Sequence, residues 1–243
     1  MTSSRATRCF VLPFAVVGFA FLLSGCGSVS VYSDSVIAPN GTMPVHTYGQ
    51  EVVAEISSYF KVTDFRSEPG KTQTTHVLNG MLRSVPAGGF PGSPAGAVDV
   101  VVVALGTNDP TDFVYGNPTG HNVQGAVDQA DFVLRRAAES RVRCVVWVLP
   151  AEVNRYLFDA AQQAAAKDYV HIFNGYLLGL PRVLDFDGHL VAFRAVDWGS
   201  IAANDEHLSG DGAHPNAFGA VVLGRMIRDA AAECSRPDAL PGI

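Results

Sequence analysis

Three separate stretches of the sequence contain residues that together could break an ester bond. Ser35 lies in "VYSDSVIAPNG", Asn108 in "GTND", and Asp211 and His214 in "DGAHPNAFG". A serine hydroxyl becomes a nucleophile when a histidine takes its proton, and a carboxylate can orient that histidine through its other ring nitrogen. Asp211 precedes His214 by three residues, so we predict Ser35 as the nucleophile, His214 as the base and Asp211 as the orienting acid.

The same stretches also supply hydrogen-bond donors for an oxyanion. A tetrahedral intermediate has a negatively charged oxygen, which preplaced N–H groups stabilise. The side-chain amide of Asn108 is one candidate donor and the backbone N–H of Ser35 is another, while Gly106 permits a sharp turn before Asn108. Ser33 is a second candidate nucleophile. Strand alternation places it on the same side as Ser35 but earlier, and we expect it to be less exposed.

Alternating strands and helices are predicted to position these residues. Valine-rich or continuously apolar runs predict strands, and apolar residues at helical spacing predict helices. We predict strands over 28–34, 98–106, 143–150, 169–176 and 192–198, helices over 48–60, 121–139, 154–166 and 216–234, and an exposed Gly- and Pro-rich loop over 84–97. This order indicates βα units and a mostly parallel sheet, whose functional site lies beyond the carboxyl ends of the strands.

The N-terminus has the pattern of a secretory signal. Arg5 and Arg8 form a short positive region, and residues 10–23 are apolar before small residues follow. A positive region, a short apolar region and a small-residue cleavage point define such signals. We therefore predict a signal peptide over residues 1–25.

The end of this signal, Leu23-Ser24-Gly25-Cys26, resembles the bacterial lipobox, in which the cysteine is lipidated and becomes the first mature residue. The resemblance implies a single mature domain over 26–243 that is extracytoplasmic and anchored to the cell membrane through Cys26. An uncleaved membrane anchor is the alternative, because the uncharged stretch 9–33 is long enough to span a bilayer.

Composition limits the partners of the chain. Only 16% of its 243 residues are charged, 48% are hydrophobic, and the formal net charge is −6 with no run rich in lysine or arginine. Nucleic-acid binding requires a basic surface, so no nucleic-acid partner is predicted.

Two cysteines, Cys144 and Cys234, remain in the mature domain besides Cys26. An oxidising compartment permits a disulfide between them, which would join the last helix to a central strand. Two buried thiols are the alternative, because Cys144 lies in an apolar strand.

A metal site is the competing interpretation of the histidine loop. Asp205, His207, Asp211 and His214 all have side chains that can bind metals. Their spacing matches no zinc signature, and calcium loops favour oxygen ligands over two histidines. No metal and no other cofactor is predicted.

In this order, "SDS", "GTND" and "DGAHP" resemble the motifs of the SGNH (GDSL-type) hydrolase superfamily over residues 28–232. The resemblance implies a flavodoxin-like three-layer α/β/α sandwich and Ser–His–Asp ester hydrolysis without metal. It gives Ser35, Asn108, Asp211 and His214 the roles stated above, and it adds the N–H of Gly70 to the oxyanion hole. Ser33 stands where the family has glycine.

A second likeness concerns Asp197-Trp198, which precede the Asp211 loop. SGNH domains that act with membrane acyltransferases on envelope polysaccharides often have Asp-Trp at this place. We expect hydrolysis of acyl esters of envelope lipids or glycans, and this second resemblance adds O-acyl transfer on envelope polysaccharide as the alternative. A packed indole at a strand end is the structural interpretation of the same pair. A non-catalytic binding lipoprotein with this fold is the remaining alternative.

Overall fold

The centre of the fold is a six-stranded sheet. A computed structural model describes residues 27–38, 47–67, 99–116, 122–151, 159–203, 205–208, 214–236 and 239–240. The predicted signal peptide with Cys26 and the predicted loop over 84–97 lie outside these residues. The strands are β1 (Ser28–Ser33), β2 (Lys61–Ser67), β3 (Val100–Ala104), β4 (Cys144–Val148), β5 (Val183–Phe186) and β6 (His189–Val196).

The strands lie in the order β2-β1-β3-β4-β6-β5, and every pairing is parallel except that of β5 with β6. The central strands β3 and β4 are buried along their whole length. Their continuous apolar sequences follow from this position, because a parallel strand covered on both faces has no side that meets water. The predicted mostly parallel sheet is therefore confirmed.

Helices cover both faces of the sheet. One core cluster joins the sheet to α1 and α6, and the other joins it to α3 and α4, which confirms the three-layer α/β/α sandwich. No helix within the described ranges is both long enough and apolar enough to cross a bilayer. The helices are α1 (Gly49–Ser57), α2 (Asp109–Val114), α3 (Val123–Glu139), α4 (Ala160–Gly179), α5 (Trp198–Ala202) and α6 (Ala217–Cys234).

The predicted strand over 169–176 is wrong, because these residues form the middle of α4. Tyr169, Val170, Phe173 and Leu177 are buried, and their spacing matches one face of a helix. Aromatic and β-branched residues favour strands only weakly, and burial of this helical face outweighs that preference. The helix predicted over 154–166 begins at Ala160, where the Asp159 side chain accepts a hydrogen bond from the N–H of Gln162, 2.7 Å away.

A β-hairpin formed by β5 and β6 was missed by the sequence analysis. Its two-residue turn is Asp187-Gly188, with φ angles of 57° and 88°. Positive φ at both positions suits Asp-Gly, and this dipeptide between apolar runs is the signal that could have identified the hairpin.

A disulfide between Cys144 and Cys234 joins the first residue of β4 to the last residue of α6. The Cα atoms are 5.7 Å apart, and the two residues are separated by 90 positions in the sequence. The bond therefore ties the C-terminal helix to the middle of the sheet.

Replacing both cysteines by alanine should lower the free energy of unfolding by about 2–5 kcal/mol, because the unfolded chain regains the freedom of a long loop. Urea unfolding of the oxidised wild type and the double variant measures the difference. Reduced wild type is the control and should resemble the variant. Equal midpoints for the oxidised wild type and the variant would show that the bond does not stabilise the fold.

Candidate active site

Two polar loops meet where the direction of the chain connections reverses in the sheet. β1 lies between β2 and β3, and it ends at Ser33 before a short 3-10 turn over Ser35–Ile37. β3 ends at Ala104, and Gly106 follows with a φ of 117°, so the backbone turns sharply ahead of Asn108. In doubly wound sheets, such a reversal opens a crevice at the carboxyl ends of the strands.

The turn that contains Ser35 leaves one backbone N–H available. Asp34 Oδ1 accepts the N–H of Val36 at 2.9 Å, and Ser33 Oγ accepts that of Ile37 at 3.1 Å. The carbonyl oxygen of Ser35 also accepts a bond within the turn. The N–H of Ser35 makes no hydrogen bond to any residue that the structure describes. Its position suits a donor to a developing oxyanion.

Ser33 has a structural role in this turn. Its side chain is fully buried, and its hydroxyl donates to the carbonyl oxygen of Asp34 at 3.0 Å while it accepts the N–H of Ile37. Both hydrogen bonds stay inside the turn, so the Ser33 side chain is accommodated there without reaching the crevice. Ser35 is 3% exposed, and no described residue forms a hydrogen bond with its hydroxyl.

Asp34 holds three strand ends together, and sequence reasoning assigned it no role. Its carboxylate accepts the N–H of Val36 and, at 3.3 Å, that of Thr107 in the loop after β3. Its backbone N–H donates to the carbonyl oxygen of Ala104, and its own carbonyl oxygen accepts the hydroxyl of Ser67 at the end of β2. This one residue therefore fixes the Ser35 turn against the loop that contains Asn108.

The Asp34 carboxyl has a raised pKa and interacts electrostatically with His214. Complete burial raises the pKa of Asp34 from 3.8 to about 6, and the hydrogen bonds from Val36 and Thr107 oppose this rise. Attraction to the imidazolium of His214 lowers the pKa of Asp34 as well. The imidazole of His214 is therefore within electrostatic range of the end of β1.

The raised pKa of Asp34 makes stability depend on pH. The folded protein holds this proton more tightly than the unfolded chain, so the stabilisation is complete below about pH 4 and is lost as the pH rises through about 6. We expect the loss to reach roughly 3 kcal/mol at neutral pH. Urea unfolding of wild type and Asp34→Asn across this range tests it, because the variant lacks the titrating carboxyl. A constant stability difference across the range would contradict the prediction.

The backbone next to His214 is fixed by Asn216. The side chain of Asn216 accepts the N–H of Gly219 and thereby caps α6, while its amide nitrogen donates to the carbonyl oxygens of Glu206 and Leu208. His214 itself is only 4% exposed. These hydrogen bonds join the start of α6 to residues 206–208 and thereby fix the backbone on the C-terminal side of His214.

The aromatic residues near this loop pack against one another. The ring of His207 stacks on Phe218, with centroids 5.2 Å apart, and meets the buried Trp198 edge-on at 6.4 Å. The carboxylate of Asp197 caps α5 by accepting the N–H and the hydroxyl of Ser200. These contacts favour the structural interpretation of Asp197-Trp198.

Three of the predicted site residues, Ser35, Asn108 and His214, lie in the described part of the chain, and three others lie outside it. Ser35 and Asn108 lie in adjacent strand-end loops, His214 is within electrostatic range of Asp34, and the side chain of Asn108 does not cap α2. The structure shows no hydrogen bond between the hydroxyl of Ser35 and the ring of His214. Gly70, Asp211 and Cys26 lie outside the described residues.

The doubly wound sheet and the strand-end loops define the class of fold: the chain has the SGNH hydrolase fold. It is similar to the lipase/acylhydrolase from Enterococcus faecalis, with 16% identity over 85% of this chain and 96% of that chain and a TM-score of 0.53. It is also similar to Axe2, an acetylxylan esterase from Geobacillus stearothermophilus, with 12% identity over 85% and 94% of the two chains and a TM-score of 0.56.

The lipase Lip_vut3 from a goat rumen metagenome shares the fold at 14% identity, over 84% of this chain and 97% of that chain, with a TM-score of 0.56. No protein-family model and no curated protein matches the sequence. At these identities, the likeness defines the fold, and the chemistry must be argued from the residues of this chain.

Proposed function

We propose that the chain is a serine esterase that hydrolyses acyl esters at the carboxyl edge of its sheet. The observation that supports this most strongly is the turn at Ser35. Its N–H points to no described acceptor, and Asp34 ties it to the Asn108 loop with His214 in electrostatic range. A nucleophile, a base and oxyanion donors are the minimum set for acyl transfer through a covalent intermediate.

In the proposed reaction, the hydroxyl of Ser35 attacks the ester carbonyl carbon while His214 takes the hydroxyl proton. The oxyanion accepts hydrogen bonds from the N–H of Ser35, the side-chain amide of Asn108 and the N–H of Gly70. Collapse of this intermediate expels the alcohol, which receives the proton from His214. Water, activated by His214, then attacks the acyl-serine and releases the acid.

Two carboxylates have separate parts in this scheme. Asp211 remains the predicted partner that orients the ring of His214. Asp34 acts as a positioning residue, because its hydrogen bonds hold the Ser35 turn and the Thr107 backbone together. Its negative charge also favours the imidazolium that forms during attack, by the same attraction that lowers the pKa of Asp34.

The proposed substrate class rests on the fold and on the proposed compartment. Proteins with this fold that are named as a lipase/acylhydrolase and an acetylxylan esterase support esters of lipids or glycans. The proposed envelope location would bring both classes of ester within reach of the chain. A series of p-nitrophenyl esters of increasing acyl length tests the proposal with the purified mature protein. Turnover of at least one ester supports it, and a folded protein that turns over none favours the binding lipoprotein.

The membrane location is a separate part of the proposal, with lipid attached at Cys26. The Cys26→Ala variant should leave the membrane fraction or accumulate as a larger unprocessed precursor, because no thioether to the lipid can form. Fractionation, gel migration and incorporation of labelled fatty acid measure this, and Cys9→Ala within the signal is the matched control. A Cys26→Ala protein that fractionates and migrates like wild type would rule out lipidation.

A further inference from the structure

Basic residues collect at the edge of the sheet opposite the candidate active site. β1 begins at Ser28, two residues after Cys26, and pairs in register with Lys61 at the start of β2. Arg143 immediately precedes β4, which runs parallel to β1 two strands away. Arg236 follows α6, whose last residue is bonded to the first residue of β4. These cations therefore lie at the edge where the predicted lipid anchor joins the body.

The described part of the chain supplies no ion-pair partner for the cations of this edge. Within the described residues, no carboxylate forms an ion pair with Lys61, Arg141, Arg143 or Arg236. The whole chain has a net charge of −6, so this edge differs in sign from the chain as a whole.

Two acidic residues of the same region form ion pairs, and a third accepts hydrogen bonds from neutral groups. Glu139 pairs with Arg136 at 3.1 Å, Asp187 pairs with Arg135 at 2.6 Å, and Asp99 accepts hydrogen bonds from Ser28. The arginines neutralise Glu139 and Asp187, whereas Asp99 and Asp185 accept hydrogen bonds only from neutral groups and keep their charges. Among the described residues of this edge, four cations without an ion pair therefore stand against two such carboxylates, which leaves a net positive charge.

A cavity of about 280 Å³ opens beside two of these cations, Arg141 and Arg143. Arg141, Arg143 and His189 supply polar groups, while Val142, Leu190 and Leu240 supply an apolar wall. Leu240 and Val142 are buried, whereas Arg141 and His189 are exposed. A mixed lining of this kind suits an anion that is joined to an apolar body, as a lipid phosphate is.

Arg141 occupies a backbone position that favours glycine. Its φ is 59°, and it lies two residues after the end of α3. Its N–H donates to the carbonyl oxygen of Ala138, and the N–H of Val142 donates to the carbonyl oxygen of Ala137. This is the helix-ending arrangement in which glycine is preferred, because a side chain in the left-handed region is strained. An arginine here therefore gives up local stability that glycine would supply.

We propose that this basic edge, defined by Lys61, Arg141, Arg143, His189 and Arg236, docks on anionic phospholipid, with a headgroup phosphate held between Arg141 and Arg143. The inference rests on the proposed lipid anchor at Cys26, which would hold this edge against a bilayer. Guanidinium groups match phosphate oxygens in geometry, and an anionic leaflet attracts cations that lie close to it. Docking would turn the opposite, carboxyl edge of the sheet outward.

Vesicle binding of the mature chain tests this without the lipid anchor. A Cys26→Ser chain over residues 26–243, exported through an ordinary cleavable signal, is mixed with vesicles of phosphatidylcholine alone or with phosphatidylglycerol added. We expect binding to the anionic vesicles only, and weaker binding as salt rises. Arg141→Gly should reduce partitioning by about fivefold, and Arg143→Gln by a similar factor. Lys167→Gln, on the exposed side of α4, is the charge-matched control and should bind like the parent chain.

Thermal unfolding separates loss of binding from loss of structure. Arg141→Gly should melt about 2 °C above the parent chain, because glycine relieves the strain at φ 59°. If this variant melts lower, the binding of Arg143→Gln is the deciding measurement.

Equal binding to both vesicle types, or equal losses in Arg141→Gly and Lys167→Gln, would overturn the proposal. Displacement by inorganic phosphate at matched concentration would also overturn a membrane surface as the ligand. None of these measurements depends on esterase activity or on lipidation of Cys26.

Discussion

Replacing Ser35 by alanine should lower kcat for an activated ester by about 10,000-fold or more, since loss of the nucleophile removes the covalent route. The turn should persist, because its hydrogen bonds involve the backbone of Ser35 and the side chains of Asp34 and Ser33. Initial rates on a p-nitrophenyl ester measure the loss, and circular dichroism with thermal unfolding checks the fold.

Ser33→Ala is the matched control for this variant. It removes a hydroxyl of the same size two residues earlier, and it breaks two hydrogen bonds inside the turn. We expect it to lower stability by about 1–3 kcal/mol while most of the activity remains. An inactive Ser33→Ala protein beside an active Ser35→Ala protein would mean that the nucleophile is misassigned.

Replacing His214 by alanine should reduce kcat almost as much as loss of Ser35, because without the base the hydroxyl keeps its proton. In the wild type, activity should fall on acidification, since a protonated imidazole cannot accept that proton. A pH–rate profile on one activated ester should show this acid limb in the wild type and none in the variant. Full activity of His214→Ala near neutral pH would contradict the triad and favour the binding lipoprotein.

Two aspartate variants test the separate roles proposed for Asp211 and Asp34. Asp211→Asn should slow turnover less than His214→Ala, because the oxyanion donors survive while the amide can hold the wrong ring tautomer. Asp34→Asn changes a group that accepts hydrogen bonds from the Ser35 turn and from the Thr107 loop. We therefore expect this variant to differ from the wild type both in kcat and in the pH dependence of its stability. If only Asp34→Asn loses activity, Asp34 and not Asp211 is the acid that supports the base.

The buried strands and the loops that follow them could be predicted from sequence. A continuous run of valines has no polar face, so "VVVVA" can lie only in the middle of a covered sheet. The polar residues directly after that run, and after the alternating run of β1, then fall at one edge by topology alone. This reasoning located Ser35 and Asn108 from local pattern.

Contacts between distant parts of the chain could not be predicted in this way. Asp34 has the composition of an ordinary turn residue, and its role depends on Thr107, which is 73 positions away. The helix over 169–176 depends on burial against α3 and the sheet, which its strand-favouring residues do not reveal. The Asp187-Gly188 turn was recognisable, by contrast, because a two-residue Asp-Gly turn carries its signal locally.

The central claim is that Ser35 is a nucleophile made reactive by His214. Labelling of the mature protein with a fluorophosphonate, followed by mass-spectrometric mapping of the modified peptide, tests it most directly, because this probe reacts with activated serines and requires no knowledge of the substrate. The account predicts one adduct, located on Ser35, which is absent from Ser35→Ala and greatly slowed in His214→Ala. An adduct on Ser33 or another serine, or equally fast labelling of His214→Ala, would contradict it.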